Sequence, residues 1–86
     1  MNHKQQKTKA AIFSKPPLNS IEWADVESLV YALGGEIKQN KGSRVRIDLK
    51  GHSLNIHSPH PQKEVKQYAV KLLREFLEKA GFSRDV

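Results

Sequence analysis

The sequence contains no cysteine, and it has few acidic residues relative to its basic ones. Without cysteine, neither disulfide bonds nor thiolate metal sites can hold the fold together. Nine Asp and Glu residues stand against fifteen Lys and Arg residues, which gives a formal net charge of +6. This excess of positive charge favours polyanionic partners such as nucleic acid, although many basic domains bind none.

Long apolar runs and several familiar enzyme motifs are also missing. No stretch approaches the roughly 20 apolar residues that a helix needs to span a bilayer, and the N-terminus has no apolar signal core. We therefore expect a soluble cytoplasmic protein with no membrane partner. The sequence has no Walker loop, Rossmann glycine pattern or nucleophile elbow, which argues against nucleotide hydrolysis and esterase chemistry. Its 86 residues leave room for one domain with a small core.

The clearest local signal is an alternation of apolar and polar residues over residues 42–58. A period of two is typical of a half-buried strand. Lys50-Gly51 separates two such runs and suits a two-residue hairpin turn, which sets a register with Ile47 opposite Leu54. The aliphatic face of this hairpin consists of Val45, Ile47, Leu49, Leu54 and Ile56.

The opposite face of the predicted hairpin is polar. It carries Arg44, Arg46, Asp48, Ser53, Asn55 and His57. The same register places Arg44 directly across from His57, so that both side chains could reach one phosphate. Such a face suits an anionic ligand.

Two helical patterns flank the strands. The first begins at Trp23 and ends at Gly34-Gly35, with an apolar stripe of Val26, Leu29, Val30 and Leu33. Trp23 and Tyr31 are expected in the core, with stacking on nucleic-acid bases as the alternative. The second is predicted from Lys63 to a cap at Gly81, with a wide apolar face of Val65, Tyr68, Ala69, Leu72, Leu73, Phe76, Leu77 and Ala80.

The N-terminal residues 1–19 form a separate basic segment that ends in a proline-rich linker. Thr8 to Phe13 could form a short helix that touches the body of the protein. Otherwise this segment is a basic arm for a phosphate backbone, or a solvated and frayed end. Pro16-Pro17 should end any helix here. We expect the domain proper to span residues 20–83.

The predicted order of elements is helix, three antiparallel strands and helix, after an optional short N-terminal helix. A short first strand runs from Glu36 to Gln39. Adjacent strands with flanking helices indicate the α+β class, as one small α-β-β-β-α domain with both helices on the aliphatic side of the sheet. The basic side is then left open.

The open face combines imidazole with guanidinium. RNA carries its own nucleophile, the 2′-hydroxyl, so a metal-free nuclease needs a base, an acid and a positive clamp. Histidine suits the first two roles, and the candidates are His57 and His60. Arginine suits the third. The residues that we expect to bind RNA are Arg44, Arg46, Lys41, Lys38, Asn55 and Ser43. The plain alternative is that His57 is an ordinary exposed strand residue and that Arg44 pairs with an acid.

We expect no cofactor and no metal ion. The four histidines have no carboxylate or thiolate clustered with them in the sequence. The alternative is a zinc site built on His57 and His60.

Residues 23–82 resemble the HicA toxins of bacterial type II toxin–antitoxin systems. The resemblance rests on the predicted hairpin and on four motifs: Leu33-Gly34-Gly35-Glu36-Ile37, Lys41-Gly42-Ser43, His60-Pro61 and Leu77-Glu78-Lys79-Ala80-Gly81-Phe82. It implies a double-stranded-RNA-binding-like fold and a ribosome-independent mRNA interferase that a HicB-like antitoxin neutralises. It also implies that Gly42-Ser43 forms the turn into the strand and that His60-Pro61 leads into the last helix.

This sequence departs from the family pattern at one position. The family's catalytic histidine follows the Gly-Ser pair, where this chain has Arg44. Arginine stays protonated in proteins, so it cannot take over the role of a base. Three readings follow: a HicA-like endoribonuclease in which another histidine acts, a non-catalytic RNA-binding module of the same fold, or an interaction domain for an acidic protein partner.

Overall fold

The computed structural model describes residues 1–15, 20–59 and 62–83, so that His60 and Pro61 lie outside the described part of the chain. The elements are α1 (His3–Phe13), α2 (Trp23–Ala32), β1 (Glu36–Gln39), β2 (Arg44–Leu49), β3 (His52–His57) and α3 (Gln67–Lys79). This order confirms the predicted small α+β domain, with α1 as the additional N-terminal helix.

The three strands form an antiparallel sheet in the order β1-β2-β3. The predicted hairpin register is confirmed, with Ile47 paired with Leu54 and Arg44 paired with His57. Lys50 and Gly51 both have positive φ, 52° and 79°. Two left-handed residues match the right-handed twist of the strands that they join, which is why such turns connect hairpins.

The core lies on the aliphatic side of the sheet. Its buried side chains come from the strands and from the stripes of α2 and α3, and include Val45, Ile47, Leu49, Ile56, Val26, Leu29, Val30, Leu73 and Leu77. Helix α2 packs against β1, and α3 packs against β3. The predicted inward residues of the hairpin and of the first helix are therefore confirmed. Within the described part of the chain, no helix covers the polar side of the sheet.

Helix α3 begins at Gln67 and not at Lys63 as predicted. The preceding residues are extended, because the backbone N–H of Trp23 donates to the carbonyl of Lys63 at 2.9 Å and that of Val65 donates to Ile21 at 2.7 Å. These bonds satisfy backbone groups that a helix would otherwise use. Local periodicity gives no sign of them, since they join residues far apart in the sequence.

The predicted apolar faces were also too wide. Tyr68 is 54% exposed and Leu72 is 37% exposed on α3, while Val70 is buried. Tyr31 is 56% exposed on α2, so its assignment to the core was wrong, whereas Trp23 packs against the core as expected. Tyr31 directly follows Val30, which lies at the edge of the stripe of α2. One further residue rotates the side chain by about 100° around the helix axis, which takes Tyr31 out of the stripe.

The N-terminal segment forms a complete helix that is longer than the predicted Thr8–Phe13. Asn2 and Gln5 cap it reciprocally, with side-chain oxygens accepting backbone N–H bonds of 2.8 and 3.0 Å. Ile12 is 1% exposed and belongs to the core. Arg74 of α3 donates to the carbonyls of Ile12 and Ser14, each at 2.9 Å. The helix is therefore docked on the body of the protein and is not a frayed end.

Gly35 lets the end of α2 approach the sheet closely. A Cβ atom at this position would lie 2.8 Å from the carbonyl oxygen of Asp48 and 2.8 Å from a methyl of Val30. The requirement for glycine is therefore steric. Because β1 begins at the next residue, this contact positions β1 beside β2.

No helix within the described residues is long and apolar enough to cross a membrane.

Candidate functional site

His57 and Arg44 lie side by side at one end of the open face. They are paired residues of β3 and β2, and both are exposed. Their strands alternate inward and outward residues, so the buried Val45 and Ile56 beside them fix the outward direction of both. A guanidinium and an imidazole thus face solvent together, as the sequence predicted.

Ser43 orients the imidazole. Its Oγ lies 3.2 Å from Nδ1 of His57, and its backbone carbonyl accepts bonds from the N–H and the hydroxyl of Ser58 at 2.7 and 3.1 Å. A hydroxyl can donate or accept, so this contact is compatible with either neutral tautomer of the ring. In both cases Nε2 is the nitrogen left for a ligand, as an acceptor in one tautomer and a donor in the other.

Two clefts meet at His57. The first, which we call the arginine cleft, has a volume of about 310 Å³ and includes Asn40, Arg44, Asn55 and His57 in its walls. The second, which we call the strand-end cleft, has a volume of about 370 Å³ and lies between the end of β3 and the start of α3. Its polar walls come from Ser43, His57, Ser58, Gln62, Lys66 and Tyr68.

An ion-pair group lies further along the open face. Arg46 donates through Nε to Oδ1 of Asp48 at 2.9 Å, and Nζ of Lys38 lies 4.0 Å from Oδ2 of the same carboxylate. Lys38 and Arg46 are opposite each other on β1 and β2, where like charges would repel. Asp48 relieves this repulsion, and it also reduces the positive charge available to an anionic ligand.

The carboxylate of Asp48 accepts a second hydrogen bond besides the one from Arg46. The hydroxyl of Ser53 donates to Oδ1 at 2.6 Å. This hydrogen bond, followed by the bond from Arg46, lowers the pKa of Asp48 below its ordinary value of 3.8. Asp48 is therefore ionised at neutral pH, and its negative charge is a fixed part of the face.

The other predicted contacts are spread around this centre. Lys41 is exposed in the turn before β2, and Asn55 is exposed on β3 opposite Arg46. The structure thus brings together Ser43, Arg44, Asn55 and His57, while Arg46 and Lys38 belong to the group around Asp48. His60 and Pro61 lie outside the described residues, and within the described ranges no three His, Asp or Glu side chains are clustered as metal ligands.

Sequence reasoning missed the far wall of the strand-end cleft. Lys66 and Tyr68 come from the segment that was assigned to the start of a helix, and Gln62 directly precedes that segment. Tyr68 was counted as apolar core. The hydroxyl of Tyr68 was the one available signal, because a tyrosine at the edge of an apolar stripe often keeps one end in water.

Comparison with known proteins assigns the chain to a family. The family described as the HicA toxin of bacterial toxin–antitoxin systems matches residues 23–82, which include the whole sheet, α2 and α3. Comparisons with curated proteins and with solved structures gave no significant match. The matched region covers well over half of the 86 residues. The chain therefore belongs to the HicA toxin family, whose members act in toxin–antitoxin systems with a cognate antitoxin.

Proposed function

We propose that this toxin acts on mRNA, which it binds across the arginine cleft and cuts without a metal ion. The observation that carries the proposal is the placement of His57 directly opposite Arg44, with Ser43 holding Nδ1 of the imidazole at 3.2 Å. This pairing supports the proposal, because a proton-transfer group and a permanent positive charge side by side suit the same phosphate. The antitoxin partner that we propose is HicB-like.

In the proposed reaction, Nε2 of His57 accepts the proton of an RNA 2′-hydroxyl. The 2′-oxygen then attacks the adjacent phosphorus, and the bond from phosphorus to the 5′-oxygen of the next nucleotide breaks. The products are a 2′,3′-cyclic phosphate and a 5′-hydroxyl, and an acid supplies the proton of that hydroxyl. Arg44 stabilises the negative charge that develops on the phosphate oxygens. His60 is our candidate for the acid.

The arginine at position 44 also supports a second candidate, which is RNA binding without cleavage. The family places its catalytic histidine at this position, and arginine cannot act as a base in a protein. Arg44 is exposed, and no acidic side chain among the described residues pairs with it. Both candidate functions therefore use the same phosphate contact and differ only in what His57 does.

The test is cleavage of a labelled unstructured RNA by purified protein in EDTA. We expect the parent to generate cyclic-phosphate ends and His57→Ala to lose most of this activity, since acid–base catalysis contributes typically about 10²–10⁴-fold. His52→Ala is the matched control, because His52 is the other exposed histidine of β3 and lies at its far end. Its activity should equal that of the parent.

Three outcomes separate the alternatives. Cleavage that survives both His57→Ala and His60→Ala would contradict the mechanism. Salt-dependent RNA binding by a parent that does not cut would favour the binding module. If the parent neither cuts nor binds RNA, the remaining reading is an interaction domain for an acidic protein partner.

A further inference from the structure

The strand-end cleft contains an unusual combination of side chains for its size. Tyr68 is 54% exposed in the first turn of α3, and Lys66 is the N-cap residue of the same helix. Both line the cleft together with His57. No acidic side chain lines this cleft within the described residues.

We propose that the strand-end cleft is a nucleobase subsite, in which Tyr68 stacks on the base next to the phosphate held at Arg44 and His57. This proposal rests on the proposed function and extends it to residues that the fold does not require. An aromatic ring beside a cation, without an acid, matches a single-stranded nucleotide because the ring takes the base and the cation takes its phosphate.

The position of His57 links the two clefts. Its side chain is part of the walls of both, with Arg44 and Asn55 on one side and Lys66 and Tyr68 on the other. A strand of RNA that places a phosphate in the arginine cleft can therefore place a neighbouring base in the strand-end cleft. The second cleft has a volume of about 370 Å³, which is sufficient for one nucleotide base.

The polar side chains of the cleft offer contacts to the edge of a base. The hydroxyl of Ser58 already donates to the carbonyl of Ser43, so it offers its oxygen as an acceptor, whereas the amide of Gln62 can both donate and accept. A stacking ring tolerates any base, because every base has a π-face. We therefore assign affinity to Tyr68 and selectivity among bases to Ser58 and Gln62.

The structure supplies a matched control for Tyr68. Tyr31 is 56% exposed on α2, close to the 54% of Tyr68, and it lines neither cleft. Replacement of either exposed ring should leave the core intact. Circular dichroism of Tyr68→Ala and Tyr31→Ala verifies that both variants are folded.

The experiment measures binding of the full chain to two labelled oligomers by fluorescence anisotropy. One is a 2′-O-methyl oligouridylate, which lacks the attacking hydroxyl, and the other is an abasic oligomer with the same number of phosphates. We expect Tyr68→Ala to weaken binding of the oligouridylate by about 5- to 150-fold, as for the loss of one stacked base, and to leave the abasic oligomer unaffected. Tyr68→Phe should bind both oligomers as the parent does, and so should Tyr31→Ala.

The outcomes distinguish this subsite from the proposed function. Equal affinity of Tyr68→Ala and the parent for the oligouridylate, or an equal loss on both oligomers, would overturn the stacking assignment while RNA binding stands. A loss of the same size in Tyr31→Ala would also overturn it. A parent that binds neither oligomer in a salt-dependent way would overturn both the subsite and the proposed function.

Discussion

Arg46 donates to Asp48 through Nε at 2.9 Å, whereas Arg44, two residues earlier on the same strand, has no acidic partner among the described residues. The two arginines therefore differ in what they can offer to an anion, although both point to the same face. Arg46 would have to give up or share a charge-assisted hydrogen bond in order to bind a phosphate. Arg44 has no such bond to give up.

We first predict that Arg44→Ala weakens RNA binding more than Arg46→Ala does. Loss of one phosphate contact should lower the slope of log affinity against log salt by roughly 0.7 for a single strand. Arg46→Ala should change this slope less, because the guanidinium of Arg46 is already engaged by the carboxylate of Asp48 and offers less charge to a phosphate. Titrations at several salt concentrations measure both slopes, and a larger effect of Arg46→Ala would place the phosphate on the other part of the face.

Second, Asp48→Asn should strengthen RNA binding. The substitution removes the one negative charge that Arg46 and Lys38 share, and it keeps a side chain of similar size. The affinity of the variant and its salt slope should both rise, since more cations become available to phosphates. Weaker binding by this variant would show that Asp48 is needed to orient Arg46 toward the RNA.

Third, the same carboxylate makes a contribution to stability that depends on pH. The pKa of Asp48 is lowered in the folded state, first by the bond from Ser53 and then by Arg46. Its contribution is therefore present above about 3.8, the ordinary value, and is lost as the pH falls through the lower folded pKa. Urea denaturation from pH 7 to pH 2 should show a shallower acid decline for Asp48→Asn than for the parent. Glu78→Gln, at an exposed position on α3, is the control and should follow the parent.

Fourth, Leu29→Ala and Leu73→Ala should each destabilise the protein by roughly 2–5 kcal/mol, the usual cost for a buried leucine. Both side chains are 1% exposed in the middle of their helices. Leu72→Ala is the matched control, because this neighbouring residue of α3 is 37% exposed. Its replacement should lower the stability much less. Thermal or chemical denaturation compares the stability of the three variants. If Leu72→Ala lost as much stability as Leu73→Ala, the assignment of the buried face of α3 would be wrong.

Fifth, the N-terminal helix should contribute to stability although it precedes the matched region 23–82. We expect Ile12→Ala to cost roughly 2–5 kcal/mol, because Ile12 is as deeply buried as Leu29. Lys7→Ala on the exposed side of α1 should leave stability nearly unchanged. Equal stability of Ile12→Ala and the parent would show that α1 does not dock in solution.

The hairpin shows how much of this protein can be read from local sequence. Strict alternation, together with a two-residue turn, defines the pairing of β2 with β3, because a slip of one residue would expose the whole aliphatic face. The partners of Arg44 and Ile47 were therefore predictable. The same holds for the stripe of α2, where Val26 and Leu29 recur at the helical period.

The start of α3 and the two clefts were not predictable in this way. The segment before α3 is not helical because Lys63 bonds to Trp23 at the start of α2 and Val65 bonds to Ile21 just before it, about forty residues earlier in the chain. Those bonds join residues that only the tertiary structure brings together. The position of Tyr68, and with it the far wall of the strand-end cleft, depends on them.

The sequence by itself determined the order of the elements, the hairpin register and the facing of Arg44 and His57, since each depends on periodicity within a few residues. Only the tertiary structure decided that α1 is docked through Ile12 and Arg74, that Asp48 engages Arg46, and that Lys66 and Tyr68 come close to His57. These contacts join residues that are distant in the chain or that could each have had several partners. Their selection follows from the packing of the whole domain, which a local pattern does not contain.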